Sequence, residues 1–311
     1  MKKKRRPGWR LKTCMMVLTA TTTALAAQES KAPEMPPREL VRIAVANEFA
    51  ASDHTKTLHM FRSHKETPKG SQTKLYVETT DALAAMVIAA NDQPLTEQQQ
   101  QAETGHLEWL MSTPDQLRKK HAREKEDEAR TLQILKALPD AFLYEYAGTE
   151  NSQTGPGGAG GTLMKLNFKP DPAYSPPSRV EQVLAGMQGY LLIDAKARRI
   201  AKADGTLFRD VTFGWGIVGR LDKGGQFRLC QSDLGLGDGS WGITEISLNI
   251  TGKLLLFKGL NMVSDETLSD FRKMPEQLTF AQGVGMLKAE QEKLARNNHA
   301  EQPSEAQKMP Q

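Results

Sequence analysis

Residues Trp241 to Ile250 read WGITEISLNI, and the alternation within them decides the fold. Successive side chains of an extended strand point to opposite faces, so Ile246, Leu248 and Ile250 fall on one side while Glu245, Ser247 and Asn249 fall on the other. A strand with that pattern belongs in an antiparallel sheet, one face against apolar material and the other against polar groups or water. Working outward, Gln226 to Gln231 supplies a partner strand across a glycine-rich turn that begins at Gly235. Gly189 to Ile193, a turn at Asp194-Ala195-Lys196, and Arg199 to Phe213 read as a long hairpin. Thr162 to Phe168 (TLMKLNF) alternates cleanly, and Ala141 to Tyr146 (AFLYEY) is aromatic-rich. Leu58 to His64, Thr73 to Thr80 and Leu83 to Ala90 are three further strands, and Leu254 to Phe257 and Leu260 to Val263 are the last apolar runs.

Helical signals are fewer. In Arg38 to Phe49 the residues Leu40, Val41, Ala44, Val45 and Phe49 recur at helical spacing. Thr96 with Gln99 three residues on is a capping box opening a helix to about Met111. Thr113-Pro114 opens a second, with proline at the first helical position. Leu117 to Leu138 is densely charged (RKKHAREKEDEAR), and its apolar residues gather late, at Leu132, Ile134, Leu135 and Leu138. That is a solvated helix whose last turns dock on a core. Short helices are expected at Ser178 to Leu184 and around Thr279 to Leu294. The fold class is therefore α+β: an antiparallel β-sheet in a single domain over 38–294, with an N-terminal helix and an inserted charged helical pair over 96–138.

The N-terminus points to export. Met1 to Lys12 carries seven Lys or Arg and no acid, Thr13 to Ala26 is uncharged, and Ala24-Leu25-Ala26 offers the small residues a signal peptidase needs. These are the parts of a secretory signal over 1–26, cleaved near Ala26 or Ala27. Its apolar stretch is shorter than the ~20 residues of a spanning helix, so no transmembrane span is expected after its removal. A polar, proline-rich linker follows over 27–37, and the polar stretch 295–311 reads as a disordered tail. The expected location is periplasmic or secreted. Losing the seven leader cations takes the formal charge from +4 to −3, which leaves no basic footprint for nucleic acid. Cys14 lies in the leader, so Cys230 remains alone and no intramolecular disulfide can form.

Several stretches imitate catalytic motifs without their context. Gly155 to Gly160 (GPGGAG) has dinucleotide-loop spacing, yet a strand follows where the pyrophosphate needs a helix N-terminus. Gly237 to Gly242 (GDGSWG) has Asp238 and a following strand where a nucleophile elbow needs a helix. His54, His59 and His64 step by five, which reverses the face of a strand, so they do not share a metal. No catalytic residue, cofactor or metal site is expected. Two carboxylate groups, Asp194 with Asp204 and Asp210, and Asp265 with Glu266 and Asp270, would serve glycosidic chemistry only if a pair stood ~5 to 9 Å apart. Phe213 to Gly219 (FGWGIVG) alternates glycine with large apolar groups, and is read as an aromatic plug completing the core rather than a gate.

Gln188 to Phe227 and Trp241 to Arg272 (WGITEISLNITGKLLLFKGLNMVSDETLSDFR), with ALPDAFLYEYAGTE upstream, resemble an uncharacterised family of secreted proteins from acidobacteria-like organisms. A looser resemblance is to the envelope lipoprotein-carrier (LolA-like) superfamily, carried by the helix at Arg38 to Phe49, the β-meander and the hairpin at Ile193-Asp194-Ala195-Lys196. That resemblance implies a half-barrel around an apolar groove for acyl chains. The charged helical pair departs from its plan.

The first functional expectation is a non-catalytic exported carrier or sensor for an apolar, lipid-like or lipoprotein ligand. Its groove would be lined by Trp215, Ile246, Leu248, Ile250, Leu254 and Leu256. The rivals are an envelope hydrolase using Asp204, Asp210 and Asp270, and an interaction scaffold acting through the helix over 115–138.

Overall fold

A computed structural model describes residues 35–54, 57–152, 155–214, 218–254 and 258–301. The expected leader, most of the linker, Trp215 and Leu256 lie outside them. The chain is α+β, with one large antiparallel sheet and four α-helices among the described residues.

Helix α1 (Pro37–His54) leads into strands β1 (Leu58–Thr67), β2 (Gly70–Val77), β3 (Ala84–Ala90) and the short β4 (Gln93–Pro94). Helices α2 (Glu97–Ser112) and α3 (Pro114–Ala141) follow. Then come β5 (Phe142–Asn151), β6 (Thr162–Pro170), a 3-10 turn at Glu181–Gly186, β7 (Met187–Asp194), β8 (Ile200–Leu207), β9 (Val211–Phe213), β10 (Gly219–Leu221), β11 (Gln226–Asp233), β12 (Trp241–Leu254) and β13 (Lys258–Met274). Helix α4 (Phe280–Glu301) closes the described chain, running on past the expected end at Leu294. The strand order is β4-β3-β2-β1-β13-β12-β11-β8-β7-β6-β5, with β10 and β9 beside the far end of β12. The path ends at β4 and β5, so the sheet is open rather than a closed barrel.

Two expectations need correction. The single strand expected over Arg199 to Phe213 is two, β8 and β9, because the chain leaves the sheet after Leu207 and Asp210 accepts from the Lys223 amide in the intervening turn. The apolar run Leu260 to Val263 is not a short piece but part of one 17-residue strand, Lys258 to Met274, between β12 and β1; of the run Leu254 to Phe257 only Leu254, the last residue of β12, is described.

The sheet's two faces carry different cores. The face bearing Ile246 and Leu248 is called the front. Cross-strand partners share a face, so the register carries it from Ile246 through Leu229, Ala203 and Leu191 to Leu166. Around Leu166, Leu191 and Ile193 the first core packs beneath Leu40, Val41 and Ala44 of α1 and the last turns of α3, where Ile134, Leu135 and Leu138 dock as expected. In the other direction the front runs through Glu266 and Lys65. Met60, Leu75 and Val77 therefore point to the back, where the second core forms with Leu107 and Leu110 of α2 and Phe280, Val284 and Leu287 of α4.

Helix α3 touches both cores, Leu117 in the second and Leu138 in the first. Strand twist makes that possible. Adjacent strands rotate by ~20–25°, so seven steps from β2 to β6 accumulate ~150° and bring the back of one end round to the side of the other's front. A 28-residue helix, ~42 Å long, then straps the two ends of the sheet. Its middle stays in water, with Arg130 paired to Glu126 and Asp127 along the helix.

The helical insertion also protects the sheet's edge. Strand β3 meets β4 only at Ala89 and Ala90, which leaves edge amides open to unwanted pairing. Glu103 of α2 accepts from the Val87 amide at 3.1 Å, and Glu124 of α3 from the Leu83 amide at 3.1 Å. The capping box read from Thr96 and Gln99 is formed at the start of α2.

Candidate functional site

Neither core reaches the middle of the sheet's front. On β12, Ile246 and Leu248 are half-buried, flanked by Leu229 and Phe227 of β11. On β13 the same face carries Met262, Leu268 and Phe271, and on β1 and β2 it carries Phe61 and Tyr76. Phe61 stacks on Tyr76 with centroids 5.1 Å apart and on Phe271 at 5.3 Å. None of these side chains belongs to a core cluster. They form a band across five strands, half-covered by their own neighbours, with Met262 41 % exposed.

Polar groups interrupt the band on β13, at Ser264 opposite Leu248 and at Glu266 opposite Ile246. The Glu266 carboxylate accepts from the hydroxyl of Ser63 at 2.6 Å and from Nζ of Lys65 at 3.1 Å. Burial, then the negative charge of Glu266, pushes the phenol of Tyr76 above its ordinary range. The apolar floor thus holds one ionic notch near the aromatic stack.

The expected lining residues divide as follows. Ile246 and Leu248 sit in the middle of the band, and Ile250 is buried beside the turn at Gly225. Leu254 is 39 % exposed on the same face near the end of β12. Trp215 and Leu256 lie outside the described residues, as does the centre of the expected aromatic plug. Sequence reading missed Phe61, Tyr76, Phe227, Leu268 and Phe271. The alternation of β1 and β11 was the available signal, but only the register shows that these strands flank β13 and β12.

The back of the same strands is polar. Asp204 of β8 accepts from Nε of Arg228 on β11 at 2.9 Å, and Ser247 of β12 bonds Asp265 of β13 at 2.5 Å. Cys230 lies buried on this side among Lys202, Arg228 and Glu245. Burial first, and Glu245 second, push its thiol from 9.0 up to about 11. A thiol held neutral and covered is a poor nucleophile. Iodoacetamide at pH 8 should leave Cys230 of the folded protein intact and alkylate it once urea unfolds the chain; rapid labelling of the native protein would contradict this placement. Because the folded thiol titrates above the unfolded one, its contribution to stability is complete below about pH 9 and is lost as pH rises towards 11.

The carboxylates proposed for hydrolysis do not converge. Asp204 and Asp270 lie on β8 and β13, three strand steps and at least ~14 Å apart. Asp270 pairs with Arg62, and Asp210 with Arg220 in the turn after β8. Asp194 is buried and accepts from the amides of Lys196, Ala197 and Gly158, at 2.9, 2.8 and 3.0 Å, so it builds its own turn and pins the glycine loop. That loop needs glycine for close approach: a Cβ on Gly157, at φ +93°, would stand 2.7 Å from Leu163. His59 and His64 point to opposite faces of β1, and among the described residues no cluster of His, Cys, Asp or Glu could hold a metal ion. A cleft of about 620 Å³ between α2, α3 and β3 has a mixed lining, with Glu103, His106, Lys119 and Arg123 beside Val87, Leu107, Trp109, Leu110 and Phe280. None of the lining residues expected from the sequence belongs to it. No described helix is long and apolar enough to cross a membrane.

No family model matches the chain, and no curated protein matches it significantly. The solved structures that are remotely similar include these two. One is a DUF1329 family protein from Desulfovibrio piger, at 10% identity and a TM-score of 0.25, covering 76% of this chain and 93% of that one. The other is a putative outer membrane lipoprotein-sorting protein domain from Vibrio parahaemolyticus, at 7% identity and a TM-score of 0.30, covering 80% of this chain and 99% of that one.

Proposed function

We propose that this protein is a non-catalytic binding protein, exported to the periplasm or beyond, that carries or senses a lipid-like apolar ligand on the front of its sheet. The observation that carries the reading is the band from Phe227 and Leu229 through Ile246, Leu248 and Leu268 to Phe61 and Tyr76, which lies outside the hydrophobic cores. Contiguous apolar surface left open by a fold marks an interaction site. Covering it with hydrocarbon gains ~25 cal/mol per Å² buried. The notch of Ser63, Glu266 and Lys65 gives the polar end of an amphiphile a fixed place. The carboxylates and the thiol, each committed to a structural partner or buried, give hydrolysis no comparable support.

The test is native mass spectrometry of protein purified from a bacterial envelope fraction without detergent. A bound species of lipid mass, released by organic extraction and re-bound by the emptied protein, is the expected result. Protein that is always empty and does not bind a fluorescent fatty-acid probe would end the proposal.

A further inference from the structure

The far end of the β12–β13 hairpin is built differently from the rest of the sheet. Strand β1 pairs with β13 only from Asp265 onward, and β11 leaves β12 after Asn249. Among the described strands, residues 258–264 of β13 therefore pair with β12 alone, while β12 is flanked there by the short β10. The hairpin projects past its neighbours as an arm. Its front presents Leu254, Leu260 and Met262, and two of the four large apolar side chains most exposed among the described residues, Leu254 and Met262, are here.

The arm's charge is one-sided. Residues 249–254 and 258–264 contain Lys253 and Lys258 and no carboxylate, in a chain that is net negative once its basic N-terminal residues are set aside. Both lysines are exposed, and neither has an ion-pair partner among the described residues. Arg220, opposite Lys253 on β10, pairs with both Asp210 and Asp222, and the Asp222 carboxylate also accepts from the Thr251 hydroxyl at 3.3 Å, so the acids at this end lie beside β10 on the back. Lys258 stands on the front, opposite Leu254 and on the face of Leu260 and Met262, and Lys253 stands beside Leu254 on the back. Exposed leucine and methionine flanked by lysines whose stems can run along hydrocarbon is the chemistry of a segment that seats in an anionic lipid interface.

We infer that this arm docks the protein on the surface of an anionic bilayer. The front face of the arm is continuous with the band, Met262 lying opposite Ile250 and Ser264 opposite Leu248. Docking would place one end of the band at the membrane. The inference does not require the band to hold a lipid, and the two can fail separately.

The test is co-flotation of the full chain with vesicles of phosphatidylcholine alone or with one third phosphatidylglycerol, comparing the parent with the Lys253→Gln/Lys258→Gln and Leu254→Asn/Met262→Gln variants. All three share the same N-terminus, so its basic residues cancel in the comparison. The parent should float with the anionic vesicles, far less with the neutral ones, and be released by salt. A cation beside an anionic surface contributes roughly fivefold, so the double lysine variant should bind about 25-fold more weakly. The apolar variant should also lose binding while unfolding like the parent. Equal flotation of parent and lysine variant, or equal binding to both vesicle types, overturns the inference. So does a concentration-dependent dimer that the variants abolish without changing flotation, which would make the arm a contact between copies of the chain.

Discussion

Replacing Glu48 with alanine should cost about 3–5 kcal/mol of stability, the range for removing one partner of a buried ion pair, and lower Tm by roughly 10 °C. Glu48 sits late in α1 with its side chain 11 % exposed. It accepts from Nη2 and Nε of Arg199 at 2.5 and 3.2 Å, from the Ile200 amide at 3.0 Å and from Nε2 of Gln231 at 2.8 Å. One carboxylate thus ties the helix to β8 and β11, where the first core gives way to the open band. Alanine would leave a guanidinium 16 % exposed, a backbone amide and a carboxamide without their acceptor. Arg199 would keep its contact over the Trp241 ring, 5.1 Å away, which does not replace the charge.

The pair itself contributes less than its disruption costs, since both charges were desolvated to make it. Glu48→Leu combined with Arg199→Met should therefore be less destabilised than Glu48→Ala alone. Glu48→Gln should fall between parent and alanine, because its oxygen still serves one donor while its amide turns a donor towards others. Urea unfolding of the four proteins decides the matter. A loss below about 1 kcal/mol for Glu48→Ala, the scale of an exposed pair, would mean the tether is not buried in solution.

The elements read most easily from the sequence are those whose pattern closes locally. The stretch around Ile246 to Ile250 shows its faces by alternation, and Thr96 with Gln99 announces a helix start because both bonds of the cap lie within four residues. Strand β13 was hard to read because its sequence, KGLNMVSDETLSDFRKM, is mostly polar. It owes its central place to ladder bonds with β12 and β1 and to a polar back where Asp265 meets Ser247 and Asp270 meets Arg62. A register shift near Asp270, whose φ is +57°, breaks what alternation remains. The same holds for the site. Ile246, Leu248 and Leu254 were legible on their own strand. The aromatic stack of Tyr76, Phe61 and Phe271 joins residues some 200 positions apart through pairings that no local pattern encodes. The double role of α3 was only half visible: the late apolar turns showed one docking point, while Leu117 shows its partner only once twist brings the other end of the sheet alongside.

That separation of faces makes the strongest test of function a comparison of two neighbouring substitutions. Leu248→Asp should weaken binding of a lipid-like ligand by at least about 100-fold, while Asn249→Asp leaves it unchanged. The two variants add the same charge one residue apart on β12, so net charge and chain position are matched. The face differs. Leu248 lies on the front between Phe227 and Ser264, half-buried and outside the cores. An aspartate there removes apolar contact, and a ligand seating over it must bury an unpaired carboxylate or force its protonation, at a cost of several kcal/mol. Asn249 points to the polar back, where it is exposed and an added carboxylate stays in water. Neither change should unfold the protein, since neither side chain belongs to a core cluster. Titration with a fluorescent fatty acid, with unfolding curves to confirm the fold, reads both. Equal affinity of the two variants would mean the ligand does not lie on the front of the sheet, whatever its identity. Loss in both would point to the charge of the strand rather than to its apolar face.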